Sequence, residues 1–164
     1  MKNLIRNIIL KIGGQNLRFS ETWTFTLTDI NTGKKRIYHY KNLIPTVARQ
    51  AIAEHLTDPT PTFSSLFVNF TALGTGVTAP ANGNTQLQTE TFRKNTASAT
   101  FAANVAFITA FYTAPEITGT FKEAGLFMNA TITANSGTLF SRVAIDITKS
   151  ATETLTIDYT VTIV

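Results

Sequence analysis

A mainly β fold, a β-sandwich of about seven to nine strands with one short α-helix and an N-terminal hairpin, is what the sequence predicts. Three observations point there. Thirty of the 164 residues are Thr, a β-branched residue that suits a pleated, half-buried surface. Apolar and polar residues alternate with period two over long stretches, and Gly-, Asn- and Pro-rich pieces recur between them. The length suits one domain with a substantial core, so residues 1–164 are read as a single unit.

The run Leu4 to Ile12 reads as a strand before the Gly13-Gly14 break. In Thr22-Trp23-Thr24-Phe25-Thr26-Leu27-Thr28 every odd position is large and apolar and every even one is Thr, giving a strand with one buried and one wet face. Turn residues in Asp29-Ile30-Asn31-Thr32-Gly33-Lys34 fold it back on the segment ending at Tyr40 as a hairpin. Residues 1–43 are thus an N-terminal strand and hairpin, able to serve as an inter-subunit extension. Over 44–57, Ile44, Val47, Ala48, Ala51, Ile52 and His55 recur at helical spacing, Pro45 opens the helix and Asp58-Pro59-Thr60-Pro61 stops it. Five strand segments follow: Ser65 to Leu73, Thr85 to Lys94, Thr100 to Tyr112, Ile117 to Phe127 and Leu139 to Thr148. The last strand alternates Leu155, Ile157, Tyr159, Val161 and Ile163 with Thr154, Thr156, Asp158, Thr160 and Thr162.

Only 15% of residues are charged, against roughly 25% in an average soluble domain. A surface of Thr, Ser, Asn and Ala desolvates cheaply against another subunit. The net charge of +4 divides into +7 up to Arg49 and −3 beyond it. Lys34-Lys35-Arg36 with Tyr38, His39 and Tyr40 is the one basic and aromatic cluster, and it reads as a hairpin tip and solvated strand end rather than a nucleic-acid site. No apolar stretch is long enough for a membrane-spanning helix. Arg6 and Lys11 interrupt any signal-peptide core, so the expectation is a chain made in the cytosol and left unprocessed. Without Cys there is no disulfide, thiolate nucleophile or Cys-based metal site.

Nothing in the sequence assembles a catalytic constellation, and the expectation is a non-enzyme without cofactor or metal. His39 and His55 fall in different elements, no G-x-S-x-G occurs, and Gly74-Thr75-Gly76 lacks the rest of a phosphate-binding loop. Glu90 with Arg93, and Glu123 with Arg142, sit in otherwise apolar or Thr-rich strands, where an unpaired charge is costly. They are expected in a structural polar network near a sheet edge or subunit contact. Ala106 to Tyr112 is apolar on both faces, which marks a strand covered on both sides or one placed at an interface. The candidate interface residues are Lys34, Arg36, Tyr38, Tyr40, Phe107, Phe111 and Tyr112.

The order of short motifs resembles a group of small bacteriophage structural proteins of the tail-fibre, baseplate or tail-associated kind. The likeness is carried by Asn42-Leu43-Ile44-Pro45-Thr46-Val47-Ala48-Arg49 leading into the helix, then Phe70-Thr71-Ala72-Leu73-Gly74-Thr75-Gly76. It continues through Leu87-x-x-Glu90-x-x-Arg93, Glu123-Ala124-Gly125-Leu126-Phe127 and Ser141-Arg142, and ends on a Thr-rich strand. The resemblance implies a virion component without enzymatic role, assembled in the bacterial host cytoplasm. Its partners would be other virion proteins and copies of itself in a ring or trimer, with no membrane or nucleic acid. A tail, baseplate or fibre-attachment adaptor fits best, and a head decoration protein is the alternative address. A carbohydrate- or receptor-binding sandwich is the competing class, with Asn82, Asn84, Tyr112 and Asn135 as loop contributors.

Overall fold

The computed structural model describes residues 10–12 and 15–164, with side chains from Arg18 onward. Among the described residues, eleven strands and one helix run in the order β1 (Leu10–Ile12), β2 (Gln15–Leu17), β3 (Phe19–Asp29), β4 (Lys35–Tyr40), α1 (Thr46–Thr57), β5 (Val68–Gly74), β6 (Glu90–Asn95), β7 (Ser98–Ala102), β8 (Val105–Tyr112), β9 (Gly119–Met128), β10 (Thr138–Lys149) and β11 (Glu153–Ile163). Nine of them form a sandwich of two antiparallel sheets, a four-stranded one ordered β10-β9-β5-β6 and a five-stranded one ordered β4-β3-β11-β8-β7. β1 and β2 form a separate antiparallel pair. Of the expected first strand, residues 4–9 lie outside the described residues.

The alternation in β3 and β11 does what period two requires. Trp23, Phe25 and Leu27 from β3 and Leu155, Ile157 and Tyr159 from β11 are fully or almost fully buried between the sheets. Their Thr neighbours carpet the opposite face. The Trp23 ring stacks on Phe25 at 5.6 Å and meets Tyr159 edge-on at 5.2 Å. Its indole N–H donates to Ser141 Oγ of β10 (3.2 Å), and Asn42 Nδ2 donates to the same oxygen (2.5 Å), tying the two sheets together. In the β3–β4 turn, Asp29 Oδ1 accepts the backbone N–H groups of Asn31 and Thr32 (3.0 and 2.8 Å). The Thr32 bonds, with a further bond from Thr152, hold the Asp29 carboxyl below its ordinary range.

Two strand assignments change. Thr85 to Lys94 is a strand only from Glu90, because the N–H groups of Gln88 and Thr89 turn to the Glu123 carboxylate instead of to a neighbouring strand. Thr100 to Tyr112 is two strands, β7 and β8, joined by a tight turn at Ala103-Asn104. Ala103 has φ +52°, a left-handed backbone that costs an L-residue about 1–2 kcal/mol. No Gly marks that turn, so nothing in the residue types announces it. Ala103→Gly is expected to stabilise the protein by about 0.5–1 kcal/mol, the relieved strain less the added unfolded-state entropy, as read from denaturant midpoints at unchanged slope.

The helix packs Ala48 and Ala51, both fully buried, into the main core. Leu43, just before it, exchanges both backbone bonds with Arg142 of β10 at 3.0 Å each. His55, on the expected stripe, shares a hydrogen bond between Nδ1 and the Ala51 carbonyl (2.9 Å). β9 from Glu123 to Met128 and β10 from Leu139 to Val143 are buried on both faces, because the segments 75–89 and 129–137 cover the outer side of the four-stranded sheet there. Among the described residues, no segment covers the outer side of the five-stranded sheet in this way.

Candidate interaction surfaces and the buried ion pairs

Among the described residues, the sequence motifs converge on the covered side of the four-stranded sheet. Glu123 (0% exposed) and Arg142 (1%) form an ion pair at 2.8 Å. The carboxylate is saturated. Oε1 accepts the N–H groups of Gly76 (3.1 Å) and Thr89 (2.7 Å), while Oε2 accepts that of Gln88 (3.0 Å) together with Arg142 Nε and Nη2. The guanidinium spends its remaining donors on Asn84 Oδ1 (2.7 Å) and on the Thr78 carbonyl (3.0 Å). This arrangement pins the 75–89 segment across the sheet. A Cβ at Gly74 or Gly76 would collide with the Glu123 side chain, so the Gly-Thr-Gly spacing serves close approach to a carboxylate rather than to a phosphate. Leu87 seals the layer against Gly125, where a Cβ would come within 2.9 Å of it.

Glu90 and Arg93 form a second, separate pair. Arg93 Nε and Nη2 donate to Oε1 (2.6 Å) and Oε2 (2.8 Å) in a fork, and both side chains are nearly inaccessible. Arg93 Nη1 donates to the Thr131 and Ser136 carbonyls and to Ser136 Oγ. Its guanidinium lies 4.7 Å from the centroid of the Phe127 ring. Both pairs are thus clasps within the domain, holding surface segments onto the sheet, and each involves one of its edge strands, Arg142 on β10 and Glu90 with Arg93 on β6. Lys149 is a further buried charge, outside both ion pairs, that the sequence reading missed. It is 1% exposed and donates to the Ala114 (2.7 Å), Ile117 (2.8 Å) and Ser150 (3.3 Å) carbonyls, fixing the crossover between β8 and β9. The signal was present in the sequence, since alternation from Ile145 and Ile147 places residue 149 on the inner face.

The candidate interface residues separate. Tyr112 is fully buried, with its ring edge-on to Phe92 and its hydroxyl donating to the Thr71 carbonyl at 3.5 Å, so it is a core residue and not a surface one. Arg36 is engaged by Glu153 at 2.8 Å and by Tyr38 Oη at 3.2 Å, and Tyr38 and Tyr40 are partly buried against the core. Lys34 is exposed at the hairpin tip. Phe107 and Phe111, each 41% exposed, stand on the uncovered face of the five-stranded sheet opposite Thr160 and Thr156 of β11. Of the asparagines suggested for ligand binding, Asn84 and Asn82 have engaged side-chain oxygens, whereas Asn135 is held through its backbone N–H. Asn84 Oδ1 serves Arg142 and the Ala81 N–H, Asn82 Oδ1 serves Arg49, and the Asn135 N–H donates to Glu90.

Two further features complete the exterior. β7 is an edge strand whose five residues, Ser-Ala-Thr-Phe-Ala, are all exposed and uncharged, with Phe101 80% exposed. Beside it the two sheets part at one end of the sandwich around a cavity of about 530 Å³. Its wall is almost wholly apolar and includes Phe19, Leu56, Phe67, Phe101, Ile108 and Met128. Among the described residues no group of His, Asp or Glu could hold a metal ion, and no helix is long and apolar enough to cross a membrane. Comparison of the chain with protein-family models, with curated proteins and with solved structures yields no match in any of the three.

Proposed function

We propose that this chain is a bacteriophage virion structural protein, a tail, baseplate or fibre-attachment adaptor that works by self-association and docking to neighbouring virion proteins. The observation that carries the packing part of this reading is β7. Natural sheets shield their edges with Lys, Pro, bulges or covering loops, because an open edge templates pairing with another chain. β7 carries no charge and no Pro, yet it borders an apolar opening and exposes a large Phe. An edge of that kind suits strand addition, in which main-chain bonds give affinity and alternate side chains give specificity. The uncovered Thr face with Phe107 and Phe111 adds area at little desolvation cost. The virion setting rests on the motif resemblance alone.

Sedimentation velocity of the isolated protein tests the packing, and the expected result is a closed ring or trimer. Thr100→Lys, on β7, is expected to weaken association at least tenfold, about 1.4 kcal/mol, without altering the monomer's melting temperature. A wild-type chain that stays monomeric at high concentration would sink the self-association. Recovery of the tagged protein in the tail fraction of disrupted particles supports the adaptor role, recovery with heads transfers it to decoration, and absence from particles removes the virion reading.

A further inference from the structure

We infer that β7 pairs antiparallel with β7 of a second copy about a twofold axis at Thr100, joining the two five-stranded sheets into one and setting Phe101 of each copy at the mouth of the other's apolar cavity. This axis rests on the self-association proposed above and narrows it, because a surface that contacts itself gives closed assemblies with an even number of copies.

The backbone phase of β7 sets the pairing. The Ile163 N–H donates to the carbonyl of Asn104, the residue before β8 (2.9 Å). Backbone groups alternate sides along a strand, so the even-numbered residues of β8 face β11 and the odd-numbered ones face β7. The Thr109 carbonyl, which accepts from the Ala97 N–H (2.7 Å), agrees with that phase. β8 sets Val105 against Ala102, Phe107 against Thr100 and Thr109 against Ser98. Ala99 and Phe101 therefore turn their N–H and C=O groups to the free edge, where nothing among the described residues pairs with them.

An edge with two such residues, separated by one, is complementary to itself. Ala99 opposite Phe101 of the other copy, and Phe101 opposite its Ala99, engages every outward N–H with an outward C=O. A slide of two residues either way sets Ala99 or Phe101 against itself and carries the other residue past the end of β7. The side chains fit the same register. Ala99 and Phe101 lie opposite Ile108 and Ala106 on the inner face, and both line the cavity. Directly opposed residues share a face of the sheet, so the Phe101 ring of the other copy comes beside Ala99 at the apolar opening. In the single chain that ring is 80% exposed. Thr100 meets its counterpart on the outer face, and β7 brings no charge to the axis.

The absence of native Cys lets one substitution read the axis. Opposed residues in a non-hydrogen-bonded antiparallel pair have Cα atoms about 4.5 Å apart, within disulfide range. Thr100→Cys is expected to give a covalent dimer in most molecules on mild oxidation, seen on a non-reducing gel. Ala102→Cys, also exposed but facing Ser98 of the other copy, should cross-link at least tenfold less. Failure of Thr100→Cys to cross-link, or equal cross-linking of the two variants, would overturn the pairing. Sedimentation velocity of the unmodified chain separates the axis from self-association as such. An even number of copies is expected. A trimer or another odd-numbered ring overturns the axis and leaves self-association standing, whereas a monomer sinks both. In the assembled protein the Ala99 and Phe101 amides should exchange at least 100-fold more slowly than free peptide. Unprotected amides there would place the contact elsewhere, and protected amides in a monomer would show that the edge is covered within one chain, either of which overturns the inference.

Discussion

Arg142→Met is expected to lower the unfolding free energy by about 3–5 kcal/mol, because it leaves Glu123 charged and buried with no cation. The expectation rests on the enclosure of the pair. Both side chains are inaccessible, and every oxygen and nitrogen that matters is bonded inside the domain. Exposed ion pairs contribute little, and Lys122 with Asp146 at 2.6 Å on the surface serves as the comparison. Lys122→Met should move stability by less than about 1 kcal/mol. The double variant Arg142→Met with Glu123→Gln should recover part of the loss, since no unpaired charge remains. Full recovery is not expected, because Asn84 and the Thr78 carbonyl also lose a donor. Chemical denaturation of the three variants decides the matter. If the single and double variants lost equal stability, the uncompensated charge would not be the cause. Amide exchange should also show where the damage falls, with the Gly76, Gln88 and Thr89 amides losing protection first as the 75–89 segment lifts from the sheet.

The parts of the molecule legible in its sequence are those where one face is buried and the other wet. β3 and β11 are such strands, and alternation with Thr gives their location and their inward residues. α1 is legible for the same reason, with Ala48 and Ala51 on its buried stripe. Alternation fails in β9 from Glu123 onward and in β10 from Leu139 to Val143, where both faces are covered, and returns in β10 from Val143 to Lys149. Gln88 and Thr89 were misread because their function lies in backbone N–H groups, which no residue type announces. The Ala103 turn was misread because an Ala stands where a Gly would have signalled it.

The buried pairs were half legible. A Glu and an Arg in apolar strands imply partners, and the sequence names Glu123 with Arg142 and Glu90 with Arg93. It does not say what the pairs hold. That depends on long-range placement of the 75–89 and 129–137 segments, which brings the Gly-Thr-Gly turn, Leu87 and Gly125 into one layer. The same limit applies to the cavity, whose wall is drawn from residues scattered between Phe19 and Ile163. Pattern within a strand identifies an inner face, whereas a surface assembled from several elements is set by topology.

Lys149→Met is expected to destabilise the protein by about 2–4 kcal/mol, through carbonyls left buried without a donor. The methionine fills much the same space, so the loss is one of hydrogen bonding and not of packing. Ala114 and Ile117 accept from the ammonium at 2.7 and 2.8 Å, and both belong to the crossover that carries the chain from one sheet to the other. Hydrogen exchange should report early opening of residues 113–118 in the variant, while the 75–89 segment keeps its protection. The pH dependence carries a definite sign. Burial holds the Lys149 pKa below its ordinary 10.5. Between that lowered value and 10.5 the unfolded chain binds more protons at this residue than the folded one, so its contribution to stability rises with pH across the window. Below the lowered value both states are protonated and the cost of burying the charge is felt in full. The methionine variant has no such group. Its stability deficit relative to the parent should therefore widen on moving from neutral pH toward pH 10, and a constant deficit would mean that the lysine keeps its ordinary pKa in the fold.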